Sequence, residues 1–240
     1  MMSRPQYDSD YAGGTVTHVA ERALEFIDRT IPDFRTMIQG RTVLDYGCGR
    51  GDQALAIKAA GAASVVGYDR YPKWDTNKSA DGVRFTSTLP NELFDVVLSC
   101  SAFEHFADPD AEFGTMRSLT GGRLVITWAE PWYSHSGSHM NFFTRVPWVN
   151  LWFSESAVMQ VRALYRSDGA TRYEECGNGG GLNRMTVGRF ERMVRASGMT
   201  VERLQHWPTL GLPLVTSIPI VRELLTSACS CVLASPASAR

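Results

Sequence analysis

No run of lysines and arginines occurs anywhere in the chain, and its 240 residues carry a formal net charge of −1. A nucleic-acid partner leaves a basic footprint, so none is expected. The opening residues, Met1-Met2-Ser3-Arg4-Pro5-Gln6-Tyr7, lack the apolar core of a secretory leader. No apolar stretch reaches the length a bilayer demands, so no membrane span is expected. The five cysteines, Cys48, Cys100, Cys176, Cys229 and Cys231, are odd in number and scattered. No second Cys or His pair has zinc spacing, which discounts Cys229-Ser230-Cys231 as a metal or redox pair. The set reads as reduced thiols of a cytoplasmic protein, with Cys48 and Cys100 inside core elements. The glycine tract from Cys176 to Gly181 is not followed by a lysine, so it is no P-loop and reads as a mobile loop. Internal repeats and low-complexity segments are absent.

What is present is concentrated in Thr42-Val43-Leu44-Asp45-Tyr46-Gly47-Cys48-Gly49-Arg50-Gly51. A short apolar run ending in an acid, then clustered glycines, predicts a buried strand entering a tight turn. Asp52 to Gly61 has a polar start, a helix-favouring middle and a terminal glycine, which predicts a helix. The spacing is G-x-G-x-G, one residue shorter than the dinucleotide fingerprint G-x-G-x-x-G. The string Leu-Asp-Tyr-Gly-Cys-Gly-Arg-Gly resembles motif I of the class I S-adenosylmethionine-dependent methyltransferases. That resemblance implies a turn wrapped around the methionine half of the cofactor, with Asp45 near its ammonium group. The next predicted strand, Ser64 to Asp69, ends in an acid at the family's ribose-binding position. The cofactor set implied by the resemblance is Asp45, Tyr46, Gly47, Cys48, Gly49, Gly51, Asp69, Arg70, Ser87 and Ser101. The acid that the family often carries after its third strand is missing here, so Ser87 or backbone groups are expected to meet the adenine.

The resemblance implies a doubly wound, Rossmann-like α/β fold. Its seven-stranded sheet would run 3-2-1-4-5-7-6, with strand 7 antiparallel at the sheet edge. Along the chain, residues 1–240 read as a single domain that opens on a helix over about 15–30. Further strands are predicted at Val83–Ser87, Phe94–Cys100, Arg123–Trp128, Thr200–His206 and Cys229–Ala234. Asp110 to Leu119 reads as a helix closed by Gly121-Gly122, Glu155 to Tyr165 as a helix, and Thr186 as the N-cap of another that Gly198 stops. Residues 129–184 depart from the minimal fold and read as a substrate lid, and 208–227 as a smaller insertion with a short helix at Ile220 to Leu225.

Methyl transfer from a sulfonium is an in-line displacement, so the protein must supply geometry and a nucleophile. An alcohol needs a base, or a metal that acidifies its hydroxyl. Among five histidines, His18 and His206 read as structural, whereas His105, His135 and His139 fall at strand ends or in the lid. His139, between small residues and an aromatic run, is the first candidate for base or metal ligand. Glu104-His105 resembles part of the Glu-x-x-Glu-His run that binds a divalent metal in one group of quinone-biosynthesis methyltransferases. Ser101 replaces the first acid, so two readings stay open. Glu104, His105 and His139 hold a hard cation such as Mg²⁺, or Glu104 and His105 pack beneath the cofactor.

The expected acceptor contacts are Trp132, His135, Trp148 and Tyr11, the indoles offering flat faces to a sugar or an aromatic ring. The lid string His-x-x-Phe-Phe-x-x-x-Pro-Trp is similar to bacterial saccharide methyltransferases, including those that O-methylate methylmannose polysaccharide. That resemblance implies an O-methyltransferase of a sugar or oligosaccharide, in polysaccharide biosynthesis. An aromatic or lipid-like acceptor and a non-catalytic cofactor-binding module are the alternatives. The oligomeric state stays open, a dimer included.

Overall fold

A computed structural model describes residues 24–71, 73–74, 81–176, 181–209, 211 and 218–236. Helices, labelled in chain order, are α1 (24–30), α2 (Phe34–Ile38), α3 (Asp52–Ala59), α4 (Pro109–Ser118), α5 (Val149–Trp152), α6 (Glu155–Arg162), α7 (Val187–Ala196) and α8 (Pro219–Leu225). Strands are β1 (Thr42–Tyr46), β2 (Ser64–Tyr68), β3 (Val83–Thr86), β4 (Phe94–Cys100), β5 (Thr120–Ala129), β6 (Thr200–Pro208) and β7 (Thr226–Ala234). They form one sheet in the order β3-β2-β1-β4-β5-β7-β6. Neighbours from β3 to β5 pair parallel, and β7 pairs antiparallel with both β5 and β6. The expected order holds, but β7 lies one strand in from the edge, which β6 occupies.

Both faces of the sheet are covered, which is why its central strands are apolar almost throughout. Val43, Val65, Val96 and Val125 face a core made with Ile27, Phe34 and Ile57 of the first three helices. Their strand neighbours Leu44, Val66, Val97 and Leu124 face a second core with Phe113 of α4 and Phe190 of α7. Local signals set the helix ends. Asp108 accepts from Ala111 N at 3.1 Å with Pro109 beginning α4, and Thr186 accepts from Arg189 N at 3.1 Å to cap α7.

Several boundaries differ from expectation. β5 begins at Thr120, so Gly121 and Gly122 belong to the strand rather than to a helix stop. A Cβ on Gly122 would lie 2.3 Å from the Asp95 carbonyl oxygen, so that glycine permits the close approach of β4 at an irregular register. β6 continues to Pro208 and β7 starts at Thr226, which narrows the smaller insertion to 209–225. α6 ends at Arg162, where the guanidinium turns into a bidentate pair with Asp168. The expected helix is described only over 24–30, and Tyr11, His18 and residues 177–180 lie outside the described residues. No helix among the described residues is long and apolar enough to cross a membrane.

Candidate active site

The carboxyl ends of β1, β2, β4 and β5 deliver the predicted residues to one edge of the sheet. Leaving β1, Gly47 N and Cys48 N both donate to Tyr68 O, at 2.8 and 3.0 Å, and Gly51 N donates to Cys48 O at 2.8 Å. Gly47 and Gly51 are left-handed, at φ +82° and +75°. A Cβ on Gly47 would sit 2.8 Å from Ala102 Cβ, and one on Gly51 2.4 Å from the Phe85 ring. The turn therefore requires glycine at both places.

Asp69 follows β2. Its carboxylate accepts from Gly49 N and from Tyr71 N, each at 2.8 Å, so it is oriented before any ligand arrives. Arg70 donates to Glu112 at 2.9 Å, and Glu112 also accepts from the Tyr46 hydroxyl. Burial, together with Glu112, raises the Tyr46 phenol far above its ordinary range. Ser101, at the end of β4, is left-handed at φ +48°, a strained conformation for a residue with a side chain.

Tyr46, Gly47, Gly49, Asp69, Arg70 and Ser101 line a cavity of about 350 Å³ together with His105 and Phe106. Cys48 and Gly51 shape its turn without lining it, and Ser87 is exposed off its rim. Asp45 lies in β1 directly before the turn and is 1% exposed. Gln53 donates to its Oδ1 at 2.9 Å, while Oδ2 is buried without a partner among the described residues. Burial pushes its pKa up to about 7, against the Gln53 hydrogen bond and with the help of Asp69. An unsatisfied buried carboxylate oxygen fits a ligand that brings an ammonium group.

Glu104 and His105 occupy a 3₁₀ turn, Phe103–His105, just after β4. His105 Nδ1 is 2.8 Å from Gly181 O, and burial, then the neighbouring His139, lowers its pKa. His139 comes from the lid, at φ +54°, with its ring 5.1 Å from that of His105. Its Nε2 is 2.9 Å from Glu130 Oε2. Glu130, the first residue beyond β5, also accepts from Ser134 at 3.1 Å and from Ser136. Burial opposes charge on His139, but the hydrogen bond and charge of Glu130 outweigh it and raise the pKa. Glu104 is 5% exposed, and burial lifts its carboxyl to about 7 against the pull of His139. Ligand atoms of Glu104, His105 and His139 all lie within 4.8 Å of one another.

A second cavity of about 450 Å³ lies beside the first, lined by His139, Ser138, Met140, Phe142, Arg162, Arg166 and Asp168 among others. Lys73, His105 and Cys176 line both cavities and so form their common wall.

The aromatic expectations meet a different outcome. Trp132 is buried in a separate lid core, edge-on to Tyr173 at 4.7 Å with the Arg184 guanidinium 5.2 Å from its ring. Trp148 donates its indole N–H to Tyr133 O and to Leu224 O, both at 3.1 Å, and stands 6.4 Å from the His135 ring. Neither cavity is lined by Trp132, His135 or Trp148. Tyr11 lies outside the described residues. Residues that sequence reasoning passed over are Glu130, Glu112, Gln53 and Lys73. For Glu130 a signal existed, since an acid directly after an apolar parallel strand stands at the ligand edge.

Comparison with known proteins points one way. A methyltransferase domain family model matches residues 16–204. The ribosomal protein L11 methyltransferase of Chromobacterium violaceum is 34% identical over 135 residues, covering 51% of this chain and 42% of that protein. The enzyme of the same name from Burkholderia thailandensis is 38% identical over 131 residues, covering 51% and 41%. The chain thus spans about two fifths of the length of these curated relatives. In fold it is similar to an S-adenosylmethionine-dependent methyltransferase from Mesorhizobium loti, with a TM-score of 0.55 and 19% identity over 85% of this chain and 96% of that one.

Proposed function

This chain belongs to the methyltransferase domain family with S-adenosylmethionine as its cofactor, and we propose that it methylates a hydroxyl oxygen of a small, hydroxylated acceptor, a sugar or oligosaccharide. The observation that carries this reading is the pair of adjoining cavities that share His105 as a wall, with His139 and its Glu130 partner on the second side. The first cavity holds the glycine turn, the oriented Asp69 carboxylate and Ser101, and would take the cofactor. Asp69 would accept from ribose hydroxyls and Asp45 would meet the ammonium group. When bound, the cofactor supplies an activated methyl group on a sulfonium.

The chain's own task is to place and activate the acceptor oxygen. Glu130 fixes one ring nitrogen of His139 and leaves the other to act on the acceptor hydroxyl, as base or through a bound ion. The Glu104 carboxyl, buried beside it, favours positive charge on that ring and so raises its basicity. The second cavity has a size suited to a small molecule and a largely polar wall of Lys73, Ser138, Arg166 and Asp168, with Phe142 and Met140 as its apolar part. That balance suits a sugar, whose hydroxyls need partners, better than a flat hydrocarbon ring.

The test is transfer of labelled methyl from S-adenosylmethionine to saccharides, phenols and ribosomal protein, after a thermal-shift titration with the cofactor. Label on a saccharide hydroxyl is expected. Label on phenols or protein alone would overturn the acceptor, and no cofactor-dependent shift would overturn the reading as a whole.

A further inference from the structure

We propose that Glu104, His105 and His139 bind a first-row transition-metal ion, of the manganese, iron or zinc kind, in the wall between the two cavities. Two imidazoles and one carboxylate are a mixed nitrogen and oxygen donor set. Mg²⁺ takes oxygen ligands and water and sheds its hydration reluctantly, so this set suits a borderline ion instead.

Three observations converge. First, each imidazole has the outer partner that a metal-bound histidine carries. His105 Nδ1 meets the Gly181 carbonyl at 2.8 Å, and His139 Nε2 meets the Glu130 carboxylate at 2.9 Å. Both partners are acceptors, so the engaged nitrogen of each ring donates, and a neutral ring keeps its lone pair on the other nitrogen. Glu130 is itself held by Ser134 and Ser136, which fixes the ring of His139 further. Second, Glu104 is 5% exposed and accepts from Glu130 N at 3.5 Å. A carboxylate buried against two imidazoles is a fitting partner for a cation. Third, His139 holds a left-handed backbone that its side chain makes costly, a form of strain that collects at ligand sites.

Three protein donors leave coordination positions open to an incoming oxygen. In the methyltransferase reading, on which only this consequence rests, the ion would hold the acceptor oxygen and acidify its hydroxyl. The O–H bond then breaks heterolytically, the electron pair stays on oxygen, and the proton passes to water in the open cavity.

The experiment uses the full chain, stripped with chelator and titrated separately with Mn²⁺, Zn²⁺, Co²⁺ and Mg²⁺ by calorimetry, without cofactor or acceptor. One equivalent of Zn²⁺ or Co²⁺ is expected to bind, with Co²⁺ giving visible absorption of nitrogen and oxygen ligation, and Mg²⁺ is expected not to bind at millimolar concentration. Glu104→Gln and His139→Gln, checked for an unchanged melting profile, should lose that equivalent, and Glu130→Gln should weaken it roughly 10–100-fold. No binding of any ion by the unaltered chain would overturn the proposal, as would binding that survives both ligand substitutions. Specific binding without methyl transfer to any alcohol would support the metal site and sink the acceptor reading. Undiminished transfer by fully stripped protein would leave the binding site to the titration and sink the ion's part in acidifying the acceptor hydroxyl.

Discussion

Asp45 keeps one carboxylate oxygen buried and without a partner among the described residues, with its pKa pushed from 3.8 to about 7 chiefly by burial. A carboxyl whose folded pKa is raised stabilises the fold below its unfolded pKa and loses that contribution as pH climbs to the folded value. Between pH 4 and about 7, therefore, Asp45 makes stability fall with rising pH, and Asp45→Asn should flatten that slope in urea denaturation. If an ammonium group meets this oxygen, cofactor binding expels the Asp45 proton below pH 7. Calorimetry in buffers of different ionisation heat should then show proton release for the natural chain and none for Asp45→Asn. At the acceptor side, His139→Ala should lower turnover by about 10²–10⁴, the range for a lost base, while cofactor affinity stays within a few-fold. Unaltered turnover with weakened acceptor affinity would make His139 a lid brace only. Asp45 and the glycines were legible because one contiguous string carries them, and Asp69 because it closes the next apolar run. Glu130 was not, because its meaning depends on a contact with His139 nine positions later, and on the carboxyl end of β5 bringing it there.

Elements were read best where their signal is local. β1, β4 and the cap of α7 stand where the apolar run or Thr186 puts them, whereas α4 begins at Pro109 behind an Asp108 cap that the expected start at Asp110 passed over. β5 was read short because two glycines usually stop an element, whereas here Gly122 clears the Asp95 carbonyl across the sheet. Only the neighbouring strand can supply that reason. Phe85 of β3 is the comparable obstacle at the glycine turn, since a Cβ on Gly51 or on Gly67 would fall 2.4 or 2.7 Å from its ring. Gly51→Ala should therefore cost about 1–3 kcal/mol through overpacking. Because Gly51 is also left-handed, part of the cost stays when the ring is trimmed. Phe85→Leu in the same chain should recover the rest, measured as a double-mutant cycle of denaturation midpoints. Strict additivity of the two changes would show that the ring is not in the way.

At the scale of the molecule, the described residues pack as three apolar clusters, one on each face of the sheet and one inside the lid. The lid cluster of Trp132, Met140, Val149, Val158, Met159, Tyr173 and Leu182 shares no member with the other two. Such a unit opens on its own free-energy scale. Amide exchange over α5 and α6 should be faster than over β1, β4 and β5, and acceptor binding should slow it. Exchange of lid and sheet at one common rate would mean that the whole chain opens together. The tryptophans were read as ligand faces because sequence shows their number but not that the lid needs a core of its own. Cys48, Cys229 and Cys231 are buried, and burial raises the thiols of Cys229, Cys231 and Cys100, the last two to about 12. Cys176 is half-buried and borders both cavities. Its own pKa is raised by burial, so alkylation at neutral pH should be slow enough to time. The chain thus carries a built-in reporter: protection of that one sulfur from a thiol reagent would register occupancy of either cavity, with no label attached beforehand and no acceptor identified.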